Sequence, residues 1–181
     1  SKMLEKLGVH IIDTDVIAHE IVEPNSDCLN ELVDYFGDSI LNDDKTLNRK
    51  KLASIAFSDK QKTEALSNIT HKYIKAEVVK DINTTDAELV GIDGAVIIGS
   101  NVEPLCEFIV SVIADKQSRI TRIKTRDNIT DEQAIQRINA QNDDEFYKEN
   151  SMYIIYNNGD IAQLESDVVV LFNKIKGNSF E

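Results

Sequence analysis

Short runs of β-prone apolar residues alternate along the chain with longer segments of helical periodicity. Val9-His10-Ile11-Ile12 is one such run and stops at Asp13-Thr14-Asp15. Glu88-Leu89-Val90-Gly91-Ile92-Asp93, Phe108-Ile109-Val110-Ser111-Val112-Ile113 and Met152-Tyr153-Ile154-Ile155-Tyr156 are three more. The run from Phe108 to Ile113 is nearly continuous in apolar residues, as expected of a parallel strand covered on both faces. Helical patterns fill the intervals. Ser1 to Leu7 reads as helix closed at Gly8, a residue suited to a left-handed helix end. Val16 to about Ile82 reads as helices broken at Glu23-Pro24-Asn25-Ser26, at Gly37 and at the polar turn Asn42-Asp43-Asp44-Lys45. Gln117 to Thr125 is helical, Asn128 and Ile129 form a turn, and Thr130 with Gln133 predicts a capping box for the next helix. Asn157-Asn158-Gly159-Asp160 is a turn before a last amphipathic helix from about Ile161 to Lys176.

Strands alternating with helices predict an α/β fold with a doubly wound parallel sheet, whose ligands bind beyond the carboxyl ends of the strands. Asp13, Asp15, Asp93 and Asn157 fall near such ends. At 181 residues the chain suits one core with an appended lobe. A hydrophobic content of 41% spread along the whole length argues against disorder. No window approaches the roughly 20 consecutive apolar residues of a membrane span, and the N-terminus does not read as a secretory signal, so a cytoplasmic location is expected. Cys28 and Cys106 lack any metal-ligand spacing and read as structural thiols. His10, His19 and His71 form no ligand pair.

The formal net charge of −12 repels phosphate backbones, so neither nucleic acid nor a membrane is expected as a partner. One stretch runs against that balance. Lys116, Arg119, Arg122, Lys124, Arg126 and Arg137 cluster within 22 residues of an otherwise acidic chain, which suits a compact anionic ligand. Arg119, Arg122 and Arg126 are spaced three and four apart, on one helix face, where their guanidinium forks could clamp a polyphosphate. The same spacing equally describes a solvated face paired with carboxylates such as Asp115 and Asp127.

Asp13 and Asp15 flank a single residue after a strand, so both side chains leave one side if the backbone stays extended. Such a pair can supply a general base toward a hydroxyl, or reach a magnesium ion through water. Asp15 is also a good N-cap for a helix beginning at Val16. The phosphate-binding pattern G-x-x-x-x-G-K-[ST] does not occur. The nearest approach, Gly94 to Asn101, lacks the Lys and the hydroxyl and is rejected as a phosphate cradle.

Taken in order, several segments resemble the dephospho-CoA kinases, a family of P-loop nucleotide-kinase-like enzymes. They are Val9 to Ala18, Ile21-Val22-Glu23-Pro24, Thr46-Leu47-Asn48-Arg49-Lys50-Lys51-Leu52 and Asn68-Ile69-Thr70-His71. Later come Arg126-Asp127, Ala134 with Arg137-Ile138, Ala140-Gln141 and Ile155-Tyr156-Asn157-Asn158-Gly159. The resemblance implies ATP-dependent phosphorylation of the ribose 3′-hydroxyl of dephospho-CoA, with ATP and Mg²⁺ required and dephospho-CoA as partner. It implies one kinase-like domain over residues 1–181, with a core of 1–15, 86–114 and 150–181, a helical coenzyme-binding lobe over 16–85 and a lid over 115–149. Asp15 maps onto the family's general base. Asp13, Arg49 and His71 would bind substrate, and Arg119, Arg122, Arg126, Arg137, Asn157, Asn158 and Gly159 would serve ATP. Mg²⁺ would travel with ATP, with Asp13 or Asp15 reaching it through water.

The chain also departs from the family. The resemblance implies a strand and a Walker loop ahead of the helix that here starts at Ser1. A carboxylate expected near the substrate is replaced in Val96-Ile97-Ile98-Gly99, His19 stands where Arg or Lys is common, and Asn150-Ser151-Met152 replaces a usual Arg-Ala-Asp. Two alternatives stay open at this level. One is a non-catalytic relative of the same fold. The other is a haloacid-dehalogenase-like phosphatase with Asp13 as nucleophile and Asp15 as acid/base.

Overall fold

The computed structural model describes residues 1–178, which form nine α-helices and four strands. Contacts group them into two compact units, one of Ser1 with residues 8–105 and one of residues 2–7 with 106 onward.

In the first unit, β1 (His10–Asp13) leads directly into α2 (Thr14–Glu20). Then follow α3 (Asp27–Phe36), α4 (Arg49–Ala56), α5 (Lys60–Thr84) and β2 (Val90–Asp93). β1 and β2 pair in parallel, in a register that sets His10 opposite Val90 and Asp13 opposite Asp93. Three helix breaks fall where the sequence predicts them, and a further one, at residues 57–59 between α4 and α5, was not predicted. Ser26 caps α3, accepting the Leu29 N–H, and Gly37 ends that helix at φ 83°. Lys45 takes φ 67° in the polar turn. Apolar positions three and four apart on these helices close one core. Ile12, Cys28, Leu32, Ile40 and Val78 are almost wholly buried, and Ile17, Leu52, Ile69 and Val102 join them.

The second unit opens with α1 (Lys2–Glu5), which packs on the last helix. β3 (Val110–Ile113), α6 (Lys116–Asp127), α7 (Asp131–Asn139), α8 (Asp144–Glu149), β4 (Tyr153–Tyr156) and α9 (Ile161–Asn178) complete it. β3 and β4 are also parallel, with Val110 opposite Tyr153. Here the expectation of a strand covered on both faces needs correction. Ser111 and Ile113 are buried, but Val112 is 60% exposed, so among the described residues one face of β3 stays open. Strand hydrogen bonding runs as two separate parallel pairs, β1 with β2 and β3 with β4. No helix among the described residues is long and apolar enough to cross a membrane.

Helices α3 and α5 are joined by one polar node over the core. The Glu31 carboxylate accepts from the Lys72 ammonium and, at 2.7 Å, from the Tyr73 hydroxyl. These two donors hold the Glu31 carboxyl below its ordinary value of 4.5. Beneath it, burial and the neighbouring Glu31 charge push the Cys28 thiol up to about 11, which makes it an inert core residue. A carboxyl lowered in the folded state stabilises fully above its unfolded value, and loses that contribution as pH falls through its folded value. Glu31→Gln should therefore lower Tm relative to wild type at neutral pH. Thermal melts should show that difference shrinking below pH 4.5 and vanishing as the wild-type carboxyl protonates.

Candidate active site

Asp13 is the last residue of β1 and the N-cap of α2. One of its carboxylate oxygens accepts the N–H of Asp15 at 2.9 Å and of Val16 at 3.1 Å. This corrects the expected geometry twice. The backbone is not extended through Asp15, and the cap is Asp13 rather than Asp15, because the helix begins at Thr14 with no intervening turn. The first helical turn is also tied to the neighbouring strand, since the Thr14 hydroxyl donates to the Asp93 carbonyl at 2.9 Å. Gly94 permits that approach. A Cβ there would lie 2.0 Å from the Thr14 hydroxyl oxygen. With Ile17 buried behind it, α2 can only present Asp15 outward.

Asp15 lines a pocket of about 170 Å³. The other walls are Thr14 and Ala18 from α2, His71 and Ile74 from α5, and the loop segments 95–97 and 100–102. That volume is below the roughly 300–1,000 Å³ of whole-ligand sites, so it suits one sugar-sized moiety of a larger substrate. The loop wall carries no periodic signal in the sequence, and only the folded chain identifies it. It is pinned by the Asn101 side-chain amide, which donates to the His71 carbonyl at 2.8 Å, and by Val102, which enters the core. The Gly99 N–H is taken by the Glu103 carboxylate, so this loop's amide is not available to a phosphate. Arg49 is exposed at the start of α4, whose N-cap Asn48 accepts the Lys51 N–H, and it does not line this pocket.

In the second unit, each basic side chain of α6 singled out by spacing has a partner. Arg119 pairs with Asp144 at 3.2 Å, and its Nε is buried with no partner among the described residues. Arg122 donates to the Asn157 carbonyl at 3.0 Å. Arg126 makes a two-pronged contact with Asp127, at 2.7 and 3.0 Å, and Arg137 reaches the same carboxylate from α7. Lys124 pairs with Asp131. The turn after β4 is built into this arrangement. Asn158 accepts the Asp115 N–H at 2.8 Å, and Asp115 in turn caps α6 through the Ser118 N–H and hydroxyl. Those bonds lower the Asp115 carboxyl. Gly159 follows in the same turn, ahead of α9. The capping box of Thr130 and Gln133 is present at the start of α7.

A family model described as dephospho-CoA kinase matches residues 1–163. The chain is 33% identical to the dephospho-CoA kinase of Listeria monocytogenes, with 98% of this chain and 90% of that protein covered. It is likewise 33% identical to the dephospho-CoA kinase of Lactobacillus johnsonii, covering 96% and 89%. Among solved structures, a crystal structure from Thermus thermophilus shares the fold at TM-score 0.82 and 21% identity, over 96% of this chain and 88% of that one. The dephospho-CoA kinase from Campylobacter jejuni superposes at TM-score 0.68 with 26% identity, over 98% and 90%.

The cap at position 13 has a measurable consequence. Asp13→Ala should cost about 1 kcal/mol of stability in denaturant unfolding, the ordinary value of a lost N-cap. Asp13→Asn, which keeps the accepting oxygen, should restore most of it.

Proposed function

Because the chain belongs to the dephospho-CoA kinase family, we propose that it phosphorylates the ribose 3′-hydroxyl of dephospho-CoA with ATP, in the cytoplasm, and that Asp15 is the general base. The observation that carries this reading is the exposed Asp15 carboxylate at the carboxyl end of β1, on the wall of a sugar-sized pocket shared with His71. Residues 16–85 serve in it as the coenzyme-binding lobe, with Arg49 and His71 contacting the substrate, and residues 115–149 as the lid.

In the transfer itself, the 3′-hydroxyl oxygen attacks the γ-phosphorus of ATP, the bond to the β-phosphate oxygen breaks, and ADP leaves. Asp15 accepts the hydroxyl proton, since a carboxylate in hydrogen-bond reach suffices for that step. Arg122 and Arg126 spread the developing charge over fixed donors, with Arg119 and Arg137 beside them, while the turn Asn157-Asn158-Gly159 lies against the adenine. Among the described residues no three His, Cys, Asp or Glu side chains converge on one point. In this reading a magnesium ion would arrive with ATP, and Asp13 or Asp15 would reach it through water. Bound there, the ion supplies neutralisation of phosphate charge. The phosphatase alternative, with Asp13 as nucleophile, gains no support from the family match, which is to dephospho-CoA kinase.

The test pairs a binding assay with a turnover assay. Calorimetry should show dephospho-CoA binding to the wild-type chain and to Asp15→Asn alike. ADP formation dependent on dephospho-CoA should fall about 10²- to 10⁴-fold in the variant. Failure of the wild-type chain to bind dephospho-CoA would overturn the proposal. Binding without turnover would favour a non-catalytic relative of the same fold.

A further inference from the structure

Asp127 is the last residue of α6, a place where a negative charge opposes the helix dipole. It is nonetheless the most enclosed charge of its neighbourhood. Its side chain is 19% exposed, against 74% for Arg126 and 55% for Arg137. The two guanidiniums come from different helices, and both close on this one carboxylate. Their contacts hold the Asp127 carboxyl below the usual carboxylate range.

The backbone that carries the three groups is fixed by its caps and by helix packing. Asn128 takes the left-handed conformation at φ 51° and ends α6. The Thr130 capping box starts α7 at once, and Ile120, Ala134 and Ile138 pack the two helices together. Arg137, in the last turn of α7, is thereby returned to the end of α6.

A guanidinium carries five N–H donors. Arg126 spends two of them on Asp127 and Arg137 spends one, which leaves three and four donors for another acceptor. A carboxylate that bound every donor would compete with a phosphate. One that binds from a single side instead fixes two mobile side chains, offsets their mutual repulsion, and leaves their outer edges open.

From this geometry we infer that Asp127 is a positioning residue, which holds Arg126 and Arg137 as a preassembled pair for the oxygens of a polyphosphate. The inference rests on the proposed role of the lid arginines in binding ATP, and it adds a residue to which that role assigned nothing. Immobilising two long, exposed side chains costs rotamer entropy, and here that cost is met before the ligand arrives.

The probe is tripolyphosphate, and the readout is the arginine Nε–H signals in NMR spectra of the ¹⁵N-labelled chain. In the wild type, the Arg126 and Arg137 signals should move together along one titration. In Asp127→Asn they should respond at separate midpoints, with affinity weakened about three- to five-fold, the scale of an exposed ion pair. Asp127→Glu, which keeps the charge, should retain a joint response. A titration of Asp127→Asn indistinguishable from wild type overturns the inference while leaving the lid reading intact. No response of either arginine in the wild type overturns both.

Discussion

The structure of the candidate site depends on the junction where β1 becomes α2 without a connecting turn. A strand cannot pass into a helix at one residue unless the first helical N–H groups find acceptors. The Asp13 carboxylate supplies one, for both Asp15 and Val16. The Thr14 hydroxyl then binds the turn to the end of β2, at a spacing only a glycine at position 94 allows. Strand register, helix start and the direction of the Asp15 side chain are thus one linked arrangement. The core behind it, from Ile12 through Ile17 to Leu32 and Val78, keeps that arrangement from rotating.

Charge is arranged differently in the two units. An acidic chain of net charge −12 carries its basic cluster on α6 and α7, where each arginine meets a carboxylate or a carbonyl. Such pairs are partly exposed and leave several guanidinium N–H donors unused, so a ligand with several negative charges can engage the donors that remain. A salt-bridged face and a phosphate-binding face are therefore compatible descriptions of the same helices. Among the described residues, the Arg119 Nε is a buried donor that this network leaves without a partner.

Much of the fold was legible in the sequence because its signals are local. The four strands, the breaks at Ser26, Gly37 and Lys45, and the capping box at Thr130 all rest on residues a few positions apart. The cap at the key junction was assigned two residues too late, to Asp15, because Thr14 gives no sign of being helical until Asp93 and Gly94 are beside it. Helix α8 is short and polar, and shows no apolar period by which it could be read. The pocket wall formed by residues 95–102 is a looped segment held through Asn101 on His71, a contact across 30 positions. The partners of Arg119 and Arg122 are also distant in the chain, so spacing alone could place these side chains on one face but could not say what they touch.

The central claim is that Asp15 faces the hydroxyl to be phosphorylated. A crystal structure with dephospho-CoA bound addresses it most directly. The expected result is the ribose in the pocket between α2 and α5, with its 3′-oxygen hydrogen-bonded to the Asp15 carboxylate. A ribose seated elsewhere, with Asp15 turned to solvent, would contradict it.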